Sequence, residues 1–263
     1  MSRESVPKDA TSVAMVGKGG VGKTALTVLL AKALVGNNER LLVVDADPVV
    51  GLPQALGVWV TKTIGDVSED IIRAARTGGK KAKVEVVSML DYMVLEALVE
   101  SNGFALIAMG KREGEGCFCP VNDILRDALR SLSKSFDVII VDGEAGVEQV
   151  NRRVTDRVDI LLTVTDPTIR GVKTAALIES VADKRRGKGV ARTGLVITRV
   201  REGQEEQLRQ AAAEAGLEIV GLIPEDRNVT ECDLAGAPLF GLAETSPSFV
   251  AVREMATRLG LLA

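Results

Sequence analysis

The segment Asp137-Val138-Ile139-Ile140-Val141 is apolar at four consecutive positions, so a strand built from it has no face that suits water. The same property recurs in Ser12–Val16 (SVAMV), Leu41–Val44 (LLVV) and Phe104–Met109 (FALIAM). Three further apolar runs follow at Asp159–Val164, Gly194–Thr198 and Glu218–Ile223. Strands covered on both faces belong to parallel sheets between two layers of helix. The intervening stretches read as helices: from a glycine loop to about Leu34, then Thr61–Arg76, Val87–Val99, Pro120–Leu132, Arg170–Asp183, Gly203–Ala215 and Pro247–Leu259. Pro120 suits a first helical position because its missing N–H is unpaired there in any case. The alternation predicts an α/β fold with a mostly parallel central sheet and helices on both faces. No repeat or linker divides the 263 residues, so a single domain is expected over 1–263, with residues 1–11 as a flexible start.

Ligands of such sheets gather beyond the carboxyl ends of the strands. There the first strand runs into Gly17-Lys18-Gly19-Gly20-Val21-Gly22-Lys23-Thr24, which fits G-x-x-x-x-G-K-[ST] in its strand–loop–helix setting. The glycines let backbone N–H groups curl around phosphate oxygens, and the helix N-terminus favours the same negative charge. Lys23 is expected to reach the β- and γ-phosphates and Thr24 to set its hydroxyl on Mg²⁺. Lys18 lies inside the loop and, in an isolated motif, reads as a solvated charge. Asp45 and Asp47 follow the second strand in VDADP, and Asp142 ends the DVIIVD strand.

Composition narrows the chemistry. The chain contains no histidine, which excludes a serine–histidine–acid triad, histidine metal sites and an imidazole switch. A carboxylate is then left to orient or deprotonate an attacking water. Asp45 and Glu144 are equally consistent with capping their loops. A net charge of -3 and a pI of about 5.3 oppose a role in coating nucleic acid or an anionic membrane. Aromatic residues, at 3%, are too few for base-stacking platforms. No apolar run is long enough to span a bilayer and the start carries no signal peptide, so the cytoplasm is the expected compartment.

Three cysteines do not make a secreted disulfide framework. Cys117 and Cys119 sit in GKREGEGCFCP, a charged glycine-rich loop running into the helix at Pro120. Thiols at a helix N-terminus have lowered pKa values and suit soft metals. Two sulfurs make half of a tetrahedral site, and a second copy across a twofold axis would complete Cys₄. Competing readings are two buried apolar residues, a strained disulfide, or four thiolates around an iron–sulfur cluster. Cys232 stands alone and receives no role.

The form KGGVGKT resembles the deviant Walker A loop of the MinD/ParA/nitrogenase-iron-protein class of P-loop ATPases. That resemblance implies ATP as substrate, Mg²⁺ as its ion, and an ATP-promoted homodimer in which Lys18 reaches the partner's nucleotide. It makes Lys18, Lys23 and Asp47 the catalytic residues, with Asp47 on the attacking water. It also makes Asp142 the Walker B acid, meeting Mg²⁺ through water. Thr198 and Arg199 fall where the class commonly has Asn-Lys at the adenine, and Pro224 and Glu225, in IPED, are the other expected base contacts. More narrowly, KGGVGKT, VDADP, GCFCPVN and DGEAGVEQ followed by Arg152 and Arg153 resemble the CooC family of nickel-insertion ATPases. These mature carbon monoxide dehydrogenase, with close relatives serving acetyl-CoA synthase. The family implies Ni²⁺, or Zn²⁺ in its place, held by both copies of Cys117 and Cys119 and delivered to a client nickel enzyme under the control of ATP.

The sequence also departs from that family. Val49-Val50-Gly51-Leu52 replaces the usual asparagines after the DADP turn, and Gln149 stands where many members have histidine. Two rival classes remain. A spatial-organising switch of the MinD/ParA kind lacks a basic membrane-targeting end here, since MATRLGLLA is nearly uncharged, and the acidic pI offers no DNA footprint beyond a local basic patch such as Lys184-Arg185-Arg186. An ATP-dependent electron donor would need a cluster, yet the segment after Asp142 has no cysteine.

Overall fold

The computed structural model describes residues 10–37, 39–77, 90–101, 103–111, 119–143, 158–183 and 190–262. Eight strands form one sheet in the order β3-β4-β2-β5-β1-β6-β7-β8. They are β1 (Thr11–Gly17), β2 (Leu41–Asp45), β3 (Leu98–Ser101), β4 (Phe104–Ala108), β5 (Val138–Asp142), β6 (Val158–Thr165), β7 (Val190–Val200) and β8 (Ile219–Pro224). All neighbours are parallel except β3, which runs antiparallel to β4 at one edge. The helices are α1 (Lys23–Leu34), α2 (Leu52–Leu56), α3 (Ile64–Thr77), α4 (Leu90–Glu96), α5 (Cys119–Leu132), α6 (Ile169–Asp183), α7 (Glu205–Glu214), α8 (Arg227–Ala235) and α9 (Pro247–Arg258).

The apolar runs divide by parity, as a two-faced sheet requires. Val13, Met15, Val43 and Ile140 pack with α1, α2 and α9 on one face. Ala14, Val16, Leu42, Val44, Ile139 and Val141 pack with residues of α3, α4 and α5 on the other. A smaller cluster seats α6 and α7 on β7. The expected α/β architecture, one mostly parallel sheet covered on both faces, is the one observed.

Three details differ from the sequence reading. The helix expected over Val87–Val99 is confined among the described residues to Leu90–Glu96, and Leu98–Ser101 is a strand instead. Gly103, at φ 88°, and the pairing of Ser101 with Phe104 make this a tight hairpin, for which the Asn102-Gly103 dipeptide is a strong signal. Helix α8 is absent from the sequence reading, since none of its residues is fully buried and its contact with the core through Val229 and Cys232 is too short a stripe to betray it. Thr11, assigned to the flexible start, opens β1 opposite Val138, and Ala10 before it is buried.

Candidate functional site

The parallel register sets the site. β2 and β5 pair Asp45 with Asp142, and β5 pairs Asp142 with Met15 of β1, two residues before the glycine loop. The loops beyond these ends enclose a cleft of about 560 Å³ whose lining includes Gly20, Lys23, Thr24, Asp47, Arg199 and Pro224.

Gly20 and Gly22 hold φ values of 75° and 91°, a left-handed backbone that lets the loop curl before α1 starts at Lys23. No acidic residue stands in the first turn of α1, so its N–H groups and dipole are left for an anion. Lys23 is buried, and its Nζ donates to the carbonyls of Gly17 (3.4 Å) and Lys18 (3.2 Å). Those bonds keep the ammonium inside the loop. The Lys18 side chain is exposed and has no polar partner among the described residues.

Thr24 Oγ1 donates to Asp142 Oδ2 at 2.7 Å, which turns the hydroxyl lone pairs away from the carboxylate. Asp142 Oδ1 is buried without a hydrogen-bond partner among the described residues. The Thr27 hydroxyl stands beside the carboxylate, but without hydrogen-bond geometry. Burial pushes the Asp142 carboxyl up to about 6, against the opposing pull of Thr24 and Lys23. A buried, under-coordinated carboxylate oxygen next to a hydroxyl is a hard-oxygen donor set, which fits Mg²⁺.

Asp45 is a scaffold for the loop that carries Asp47. Its Oδ1 accepts from Asp47 N and its Oδ2 from Leu52 N, both at 3.1 Å, so its loop-capping reading is the observed one. Burial raises its pKa to about 7, with the neighbouring Asp142 charge adding to the rise. Asp47 is half-buried on the cleft wall, and its Oδ1 accepts from Val49 N at 2.8 Å.

The opposite wall comes from β7 and β8. Thr198 Oγ1 lies 2.6 Å from the Val21 carbonyl and 3.2 Å from that of Thr165, so its single proton braces the glycine loop. Arg199 adopts φ 55°, the one left-handed non-glycine among the described residues, and its Nη2 donates to Gly20 O at 2.8 Å. Glu225 pairs with Arg201 at 2.9 and 3.2 Å, which holds its carboxyl below the usual range. Asp226 was not singled out from sequence, yet it organises this wall. Its Oδ1 caps α8 through Asn228 N (2.9 Å), while Oδ2 accepts from Ser246 Oγ (2.5 Å), Ser248 N (3.0 Å) and Ser248 Oγ (2.7 Å). Burial pushes this carboxyl up, but the four donors together hold it below its ordinary value. Thr230 and Asp233 of α8 also line the cleft, and only the Asp-x-Asn cap signal at 226–228 hinted at that helix.

The phosphate-loop residues Gly17–Thr24 thus meet Asp47, Asp142, Thr198, Arg199, Pro224 and Glu225 at one end of the sheet. Cys117 lies outside the described residues, as do Glu144, Gln149 and the 184–186 basic patch. Cys119 is the first residue of α5, so Pro120 occupies the second helical position. Cys232 is a free, half-buried thiol packed against the main core. Among the described residues no helix is long and apolar enough to cross a membrane.

A glycine-rich strand–loop–helix with an internal lysine, a hydroxyl–carboxylate pair behind it and a parallel sheet beneath define a P-loop ATPase. The chain belongs to the CobQ/CobB/MinD/ParA nucleotide-binding family, whose domain model matches residues 13–239. It is 38% identical to an uncharacterised ATP-binding protein of Methanocaldococcus jannaschii over 247 residues, covering 94% of this chain and 97% of that one. It is 29% identical to the carbon monoxide dehydrogenase accessory protein CooC of Rhodospirillum rubrum over 243 residues, covering 88% and 90% respectively. The fold superposes on the cell division ATPase MinD of Pyrococcus furiosus with a TM-score of 0.71 at 23% identity, over 97% of this chain and all of that one.

Proposed function

We propose that the protein is an ATP-driven metallochaperone. In this reading two copies bind Ni²⁺, or Zn²⁺ in its place, through both pairs of Cys117 and Cys119. The homodimer then hands the metal to carbon monoxide dehydrogenase, acetyl-CoA synthase or a related nickel enzyme. The observation that carries the reading is that a chain akin to CooC has a CxC pair whose second cysteine opens α5, the helix leading into β5 and so to Asp142.

The chemistry at the cleft is electrostatic and positional. Lys23 and the loop N–H groups lie against the phosphates and offset charge developing on the γ-phosphoryl group. Thr24 and Asp142 would hold Mg²⁺, which would supply charge neutralisation at the phosphates. Asp47 orients the attacking water from its turn after β2. Lys18 is exposed and available to a second copy, so closure of the dimer and completion of the site are one event. Pro224 and the backbone beside Glu225 face the base, while Thr198 supports the loop and Arg199 lies along the nucleotide.

Anaerobic Ni²⁺ binding, with elemental analysis and mass in solution, tests the proposal on the wild type and a Cys117→Ser/Cys119→Ser variant. The expected result is one metal per two chains, lost in the variant. Iron with inorganic sulfide would move the protein to the electron donors. Absence of metal alongside ATP-driven dimerisation would move it to the spatial switches.

A further inference from the structure

We propose that the N-terminus of α3 is the positioning element that makes the cysteine segment respond to nucleotide, with Gly65 and Asp66 as its key residues. The inference rests on the metal-carrier reading above. It concerns the segment's entry side, whereas the route through α5 and β5 concerns its exit.

The connection runs through the backbone of one residue. Met109 follows β4 and is fully buried; its N–H donates to the Asp45 carbonyl at 2.7 Å and its own carbonyl accepts from Gly65 N at 2.8 Å. Met109 therefore ties the end of β2 to the first turn of α3. On the β2 side, the Asp45 carboxylate holds the turn that carries Asp47. A shift of that turn on nucleotide binding pulls on Asp45, and the 2.7 Å bond passes the pull to Met109.

On the α3 side the fit is close. A methyl group on Gly65 would fall on the carbonyl oxygen of Lys111, and one on Gly110 would fall on the Thr63 side chain. Gly110 also holds φ 68°, so the chain leaving β4 turns sharply across the helix start. The helix start is locked in turn. Asp66 Oδ2 accepts from Thr63 N and Thr63 Oγ1, each at 2.7 Å, and Thr63 Oγ1 accepts from Asp66 N at 3.2 Å, a reciprocal capping box. Lys111 precedes the cysteine segment by a few residues, and α5, which follows that segment, packs against α3. Both roots of the segment therefore rest on one helix, and that helix is hydrogen-bonded to the nucleotide side of the sheet through Met109.

The test is a coupling measurement on the full chain. Nickel affinity is titrated anaerobically with and without a non-hydrolysable ATP analogue and Mg²⁺, and the ratio of the two affinities is compared among variants. The wild type should give a ratio of at least about fivefold, within the usual range for linked sites. Gly65→Ala and Asp66→Ala should bring the ratio to within about twofold of unity, while nickel affinity without nucleotide and nucleotide affinity without nickel each stay near wild type. Asp66→Asn keeps an acceptor oxygen for the box and should restore most of the ratio, which a general loosening of the fold would not do. Wild-type ratios in both Gly65→Ala and Asp66→Ala would overturn the inference. A wild-type ratio of unity would overturn it together with the switching step of the metal carrier, and loss of all nickel binding by the wild type would overturn the carrier itself. If Gly65→Ala does not fold, the exposed Asp66 pair decides.

Discussion

At the scale of single residues, the site is a set of buried charges that the fold tolerates because a ligand needs them. Lys23→Ala should lower ATP hydrolysis by at least about a hundredfold, as removal of one transition-state donor does, with a melting curve near wild type. Asp45 and Asp142 carry the stability side. Carboxylates in unfolded chains titrate near 4, whereas these two are raised to about 7 and about 6. Between roughly pH 4 and 7 the folded state binds protons that the unfolded state lacks, so stability falls as pH rises through that window. The ligand-free protein should accordingly melt at a higher temperature at pH 5.5 than at pH 8. Asp142→Asn should narrow the gap and stabilise the protein at pH 8 by about 1–3 kcal/mol, while abolishing Mg²⁺-dependent hydrolysis. Paired thermal melts at the two pH values check both statements. The phosphate loop was legible because its chemistry is local in sequence. The scaffold role of Asp45 is definite only from the 3.1 Å bonds it accepts from Asp47 and Leu52 in the folded chain.

At the scale of elements, what the sequence revealed depended on whether an element buries an apolar stripe. β1, β2, β4 and β5 are buried along nearly their whole length and were plain from their composition. Helix α8 has no fully buried residue, rests on the core through the half-buried Val229 and Cys232 and is capped by polar bonds at its first turn, so little periodicity announces it. The same is true of the β8–α8 wall, because Asp226 reaches Ser246 and Ser248, which are about twenty residues away in sequence. Asp226→Ala would leave Ser246, at 2% exposure, and the Ser248 N–H buried without their acceptor. The expected loss is about 2–4 kcal/mol of stability, with weaker nucleotide binding as the wall beside Pro224 loosens. Denaturant unfolding beside nucleotide titration would show both effects. Unchanged stability would mean that α8 does not depend on this cap. The β3–β4 hairpin teaches the complementary point: an apolar run with helical spacing yields to an edge strand that returns through Gly103 onto β4.

At the scale of the whole molecule, the sheet order brings the ends of β1, β2 and β5 together, so one site collects residues from positions 17 to 142 and, through β7 and β8, from 198 to 233. The class of fold and the nucleotide chemistry follow from that convergence, and kinship with the CobQ/CobB/MinD/ParA family agrees with it. In the proposed metal carrier the metal site would draw on a second copy as much as on the first, since Cys117 and Cys119 of one chain fill only half of a tetrahedral site. A single chain's sequence therefore points to a dimer only by arithmetic and resemblance. The most direct measurement is nickel transfer to a nickel-free carbon monoxide dehydrogenase, with the client's recovered activity as the readout. The metal-loaded protein should restore activity with ATP and Mg²⁺. The Lys23→Ala protein should retain its metal without delivering it, and Cys117→Ser/Cys119→Ser should deliver no more than buffer. Equal activation by wild type with and without ATP, or by the cysteine variant, would contradict an ATP-driven metal carrier.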